Sequence, residues 1–148
     1  MHSDAVKCKP LDLPLIAGTV AITPSQSVKN QGVILDPQLT MNDEIISVYR
    51  KSYFHISCIA RIRKYLSRSS AVQIVHAFVT PTLDYGNSLL VGLPAKRLLK
   101  LQRVQNSAAR FVYGVRDVES ISAVLKSLYW LPIESRIVFE IAMFTYTV

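Results

Sequence analysis

Apolar and polar positions follow two different rhythms along this 148-residue chain, and the rhythm changes near residue 37. Before that point the apolar residues come in short runs broken by turn formers, the pattern of β-strands. Leu13 to Ala17 and Val20 to Thr23 flank Gly18-Thr19 and predict two short strands joined by a hairpin-like turn. After a loop at Pro24-Ser25-Gln26-Ser27, Val28 to Leu35 predicts a third strand with Gly32 at its middle. A glycine there usually marks a bulge or a close backbone approach. Asp36-Pro37 ends the strand.

Beyond residue 37 the period becomes helical. Thr40 is placed to cap a first helix, and Asp43 and Glu44 in its first turn complement the helix dipole. Ile45, Tyr49, Ile56, Ile59 and Ala60 are expected on one face, with Arg50 and Arg61 opposite and Arg63 and Lys64 at the end. A second helix starts near Ser67 or Ser69 and runs through Val72, Val75, Ala77 and Phe78. Pro81 either kinks it or divides it from Leu83 to Leu90.

The clearest element is Ala95 to Tyr113, with Pro94 at its start and Gly114 at its end. Leu98, Leu101, Val104, Ala108 and Val112 form its apolar stripe, extended by Ala109. Lys96, Lys100, Arg103 and Arg110 fall within a sector of about 80° on the other side. Two shorter helices, Ser120 to Leu128 and Ile133 onward, are separated by Trp130-Leu131-Pro132. The last runs without a cap to Thr147-Val148, which predicts a truncated domain. The expected fold is α+β, mainly α: short N-terminal β-strands followed by a basic helical bundle, truncated at both ends.

Composition agrees with a folded chain, since half the residues are hydrophobic and only 18% are charged. Met1-His2-Ser3-Asp4 leads into Lys7 and Lys9 without an apolar core, so no signal peptide is read and an intracellular location, nucleus or cytoplasm, is expected. Leu13 to Val28 is too short and too broken to span a bilayer, so no membrane partner is expected. Cys8 and Cys58 are expected as free thiols. His55 and Cys58 fall on neighbouring turns but make only two ligands, so no metal site is read.

The net charge of +7 is unevenly spread. Residues 1–36 are neutral, 37–80 carry +4, 81–116 carry +5 and 117–148 carry −2. Positive charge concentrated in the middle of a chain suits a polyanion partner.

Motifs for chemistry are missing. Gly18, Gly32, Gly86, Gly92 and Gly114 are too far apart to cradle a phosphate, and no hydrolase elbow or zinc-protease motif occurs. His76 and Asp84-Tyr85 are expected in structural roles, as hydrogen-bonded residues at a core edge and a helix end. Trp130 and the tyrosines are expected in the core and at hinges. The basic stripe remains. Every amphipathic helix has a solvated face, and Lys and Arg often fill it. Here no Asp or Glu interrupts the stripe, the neighbouring helix is basic too, and the acidic residues gather elsewhere. Lys96, Lys100, Arg103 and Arg110, with Arg50 and Arg61, are therefore the expected nucleic-acid-binding residues, contacting phosphates rather than reading bases.

Four segments carry a family resemblance. They are Val28 to Asp36, His76 through Asn87, Leu101 to Arg110 and Leu128 to Ile137. In this order and spacing they resemble the C-terminal part of reverse transcriptases from non-LTR (LINE-type), jockey-like retrotransposons, over roughly residues 12–148. The resemblance implies that residues 1–37 are the end of the polymerase palm and 38–114 a thumb-like region, with 115–148 beginning a further helical region. It also implies a template–primer duplex of RNA or DNA as partner, held through its phosphate backbone, together with the remainder of the polymerase. The metal-binding aspartates of that family lie upstream in an Asp-Asp turn. No Asp-Asp pair occurs here, so no catalytic residue, cofactor or metal is expected in this chain, and no polymerase activity in isolation.

The sequence departs from the family pattern at Gln31, Glu44 and Gly86, where leucine, histidine and cysteine are usual. Gln31 on a strand and Gly86 in a helix are expected to weaken packing, as in a decaying copy. The alternatives to a polymerase fragment are a small basic nucleic-acid-binding module, a self-associating interaction protein, and an inert product of a decayed element.

Overall fold

The computed structural model describes residues 15–23, 25–114 and 120–146. The fold is α+β and mostly helical, with two short antiparallel strand pairs on the N-terminal side. The chain divides into two compact units, Met1–Thr40 and Met41–Val148.

The first unit holds two hairpins. β1 (Leu15–Ala17) pairs with β2 (Val20–Ile22) in the register Leu15 to Ile22, around Gly18-Thr19 at the expected turn. Leu13 and Pro14, the expected start of the first strand, lie outside the described residues. The expected third strand is instead a second hairpin. β3 (Val28–Asn30) and β4 (Val33–Leu35) pair antiparallel, with Asn30 opposite Val33. Gln31 and Gly32 are the two residues of its turn, with φ of 46° and 90°. Two successive positive φ values bend the chain with the twist that two adjoining strands prefer. Gln31 is therefore a turn residue, and its polarity costs the sheet no packing.

Asp36 closes this unit. Its Oδ1 accepts from the backbone N–H groups of Gln38 and Thr40, at 3.1 and 2.9 Å, and its Oδ2 accepts from the Thr40 hydroxyl at 2.9 Å. That commitment removes Thr40 as a helix cap. The N-cap of α1 (Asn42–Ala60) is Met41, at φ 56°, without a side-chain cap bond.

The second unit is helical. α1 ends in a short 3₁₀ turn, Arg63–Tyr65. It leads to α2 (Arg68–Phe78), whose N-cap Ser67 accepts from the Ser70 N–H at 3.1 Å. Pro81 divides rather than kinks: α2 stops at Phe78 and α3 (Thr80–Asp84) starts with proline in its first turn, where a missing N–H costs nothing. A 3₁₀ turn, Asn87–Leu90, follows Gly86 at φ 68°. Glycine suits that left-handed backbone, whereas a residue with a Cβ is strained there. The expected packing loss at Gly86 therefore does not arise.

α4 (Ala95–Tyr113) is the central element, capped by Pro94 and Gly114 as expected. Leu98, Leu101, Val104, Gln105, Ala108, Ala109 and Val112 are all buried. α5 (Ile121–Ser127) and α6 (Ile133–Tyr146) pack against it. The buried face of α1 differs in phase from the expected one. Ile45 and Ile59 are buried, but so are Glu44, Val48 and Ser52, while Tyr49 and Ile56 are half-buried and Ala60 is exposed. Small, fully buried Ser52 sits where a hydrophobic periodicity scores a gap.

Polar contacts tie three of the four family-like segments together. Arg136 Nη2 donates to Asp84 Oδ2 at 2.8 Å, and its Nε lies 2.5 Å from Oδ1. Gln102 Oε1 accepts the Ile133 N–H at 2.9 Å, satisfying an orphan donor of the first turn of α6. Buried Gln105 donates to the Leu131 carbonyl at 2.7 Å, and Gln102 donates to both Gln105 and Asn106. His76 meets the buried Trp130 ring edge-on at 5.5 Å and bonds Thr80 through Nδ1. Trp130 is thus a core residue, as expected. Tyr65, Tyr85, Tyr129 and Tyr146 are exposed; the first three stand at junctions between elements, and Tyr146 is in the last turn of α6. Among the described residues, no helix is long and apolar enough to cross a membrane.

Candidate nucleic-acid interface

The basic residues sit on the two helices that pack most closely, α1 and α4. The lining of α4 explains their placement. Its buried positions cluster on one side, so Lys96, Lys100, Arg103 and Arg110 are turned away from the core. Lys96, Lys100 and Arg103 are exposed and Arg110 is half-buried. On α1, Arg50 and Arg61 are also exposed, opposite the buried face of that helix.

Two contacts fix how these helices lie. The Ser107 hydroxyl donates to the Arg103 carbonyl at 2.9 Å, leaving its oxygen to accept from the Tyr53 hydroxyl at 2.9 Å. Further on, the Arg63 guanidinium donates to the carbonyls of Phe111 (2.6 Å) and Val112 (2.7 Å) in the last turn of α4, and to Leu66 (3.0 Å). Both helices therefore advance in the same sense along one another. Arg50 lies one turn before Tyr53 on α1, and Arg103 lies one turn before Ser107 on α4. Arg61 belongs to the other end, towards Arg110. Of the six expected residues, Lys96, Lys100, Arg103 and Arg110 lie on α4, Arg50 on α1 and Arg61 at its C-cap, and these two helices pack together. Lys96 stands apart, about 16 Å along the axis of α4 from Ser107.

Charge is unopposed on α4, whereas the outer face of α1 also carries exposed Asp43, seven residues before Arg50. α4 contains no Asp or Glu. Among the described residues, no carboxylate lies within ion-pair distance of Lys96, Lys100, Arg103, Arg110, Arg50 or Arg61. Arg63 and Arg68 are differently used. Arg63 caps α4, and the Arg68 guanidinium lies 3.8 Å from the centroid of the Tyr113 ring. These two basic residues serve the fold.

Among the described residues, no group of three His, Cys, Asp or Glu side chains could hold a metal ion. His55 lies between the rings of Phe54 and Phe78, at 5.8 and 6.1 Å. Cys58 is an exposed free thiol, and Cys8 lies outside the described residues. Asp84 is committed to Arg136.

Sequence reasoning missed the Tyr53–Ser107 bridge, the capping role of Arg63 and the place of Phe54 on the basic face of α1. Only the last had a signal, in its spacing of four from Arg50 and seven from Arg61. No protein-family model, curated protein or solved structure matches the chain.

Proposed function

We propose that this chain is a thumb-like part of an RNA-directed DNA polymerase of the non-LTR retrotransposon type, holding a template–primer duplex through its phosphate backbone. The observation that carries the reading is the unopposed basic sector of α4: Lys96, Lys100, Arg103 and Arg110 on a helix with no acidic residue. An ordinary solvated face mixes both signs, because interspersed acids limit self-repulsion. The family-like segments support the reading further, since Asp84 pairs with Arg136, and Gln102 and Gln105 bond the backbone at Ile133 and Leu131. Their polar residues then serve a scaffold that presents the basic helices. Phosphoryl transfer needs carboxylates around two metal ions, and in this reading the missing palm supplies them. The partners are the duplex and the rest of the polymerase.

Fluorescence anisotropy with a labelled RNA–DNA hybrid tests the proposal. Contact with four to six phosphates makes log K fall with log salt at a slope of about −3 to −5. The double substitution Lys100→Glu, Arg103→Glu is expected to weaken binding to every sequence alike and to lower the slope by about 2. An affinity and slope unchanged by that substitution reject the interface.

A further inference from the structure

The outer face of α1 carries more than charge. At 100° per residue, Arg50, Phe54 and Arg61 fall within about 40° of one another. They form a line about 16 Å long, with an aromatic ring between two guanidinium groups. Phe54 is 66% exposed, although it belongs to a helix whose opposite face is buried. Its ring is the first of a row. His55 meets it edge-on with centroids 5.8 Å apart, and Phe78 of α2, itself 51% exposed, stacks on His55 at 6.1 Å with the planes 29° apart. Two helices thus contribute a row of rings, exposed at Phe54 and Phe78 and half-buried at His55, beside cations with no described carboxylate within ion-pair distance.

A duplex makes no use of such rings, because its bases are stacked on one another and present only edges in the grooves. Unpaired bases have free faces. Every base has a π-face, so aromatic side chains beside a basic track bind single strands with little regard to sequence. We propose that Phe54, His55 and Phe78, with Arg50 and Arg61, form a stacking platform for unpaired nucleotides of RNA or DNA. The inference rests on the nucleic-acid reading above and deepens it: α4 holds backbone, and α1 receives the unpaired stretch beside it. Charge selects the occupant, since an apolar protein segment gains nothing from two unpaired arginines.

The test uses the 148-residue chain with labelled 12-mers of oligo(U) and oligo(dT), and a 12-base-pair duplex as control. Phe54→Ala is expected to weaken binding of the single strands by about fivefold or more, with duplex affinity and salt slope unchanged. Phe54→Trp retains the affinity, whereas Phe54→Leu loses it, because a side chain of similar hydrophobicity without a ring offers no π-face. A 2-aminopurine placed in the strand is quenched on binding the native chain and remains bright with Phe54→Ala, Phe78→Ala. Preference for oligo(U) or oligo(dT) identifies the strand, and either supports the platform. Equal losses on single strand and duplex overturn it, as does an unchanged single-strand affinity. In those cases a continuing effect of Lys100→Glu, Arg103→Glu leaves the backbone reading standing. A wild-type chain that binds neither form rejects both. Binding of polyglutamate that falls with Phe54→Ala as steeply as oligo(U) assigns the face to an acidic protein partner and overturns the platform.

Discussion

Tyr129 shows how one residue can carry strain in this fold. α5 ends in a Schellman motif: the Trp130 N–H bonds the Leu125 carbonyl at 2.9 Å, and the Tyr129 N–H bonds that of Lys126 at 3.0 Å. The motif needs a left-handed residue, and Tyr129 supplies it at φ 57° where glycine is usual. Its ring is 95% exposed and contributes almost no burial in return. Tyr129→Gly is therefore expected to stabilise the chain by about 1 kcal/mol. Urea denaturation measures this, and a lower midpoint refutes the strain account. Gln31 and Gly86 teach the converse. Read along the sequence, each looked like a defect in a strand or a helix; both stand at turn positions with positive φ. Composition alone does not say whether a glycine sits inside an element or at its end. A hydrogen-bonding pattern does.

Elements here are held at their ends as much as by their faces. α4 was legible except at buried Gln105, because the six other buried positions, a proline at one end and a glycine at the other all agree with one helix. What closes it was not legible. Arg63, 48 residues before Phe111, satisfies carbonyls in its last turn. In the sequence Arg63 looks like any other residue of a basic cluster. Arg63→Ala leaves those carbonyls to water or unpaired. It is expected to cost about 2 kcal/mol and to speed amide exchange in the last turn of α4 ahead of the rest of the helix. Uniform exchange along α4 in the variant counts against the capping role. α1 shows the limit of periodicity in another way. Buried Ser52 breaks the apolar pattern, while half-buried Tyr49 meets the Tyr53 ring at a tilt, with centroids 4.6 Å apart, so the predicted face was rotated from the true one. Small polar residues at a helix contact are invisible to a hydrophobicity count.

Across the whole chain, the C-terminal element departs most from a quiet surface. Val138, Phe139, Met143, Phe144 and Tyr146 of α6 are each more than half exposed. Apolar surface of this kind drives association. Sedimentation velocity is expected to show the wild-type mass rising with concentration, and Phe139→Ser, Phe144→Ser to reduce that rise. A wild-type chain that stays monodisperse over the range rejects the expectation. The sequence by itself determined the fold class, the change from strands to helices, the central helix and the side of it that carries charge. These are local properties, set by spacing along one helix or strand and by the residues that stop it. Tertiary structure alone decided which basic residues remain available. Arg63 and Arg68 are taken up by α4 and Tyr113, Asp84 is taken up by Arg136, and the Tyr53–Ser107 bond joins α1 to α4. Each of these contacts joins residues 45 or more positions apart, and a pairing across such distances is chosen by how helices pack, a choice that spacing along the chain does not record.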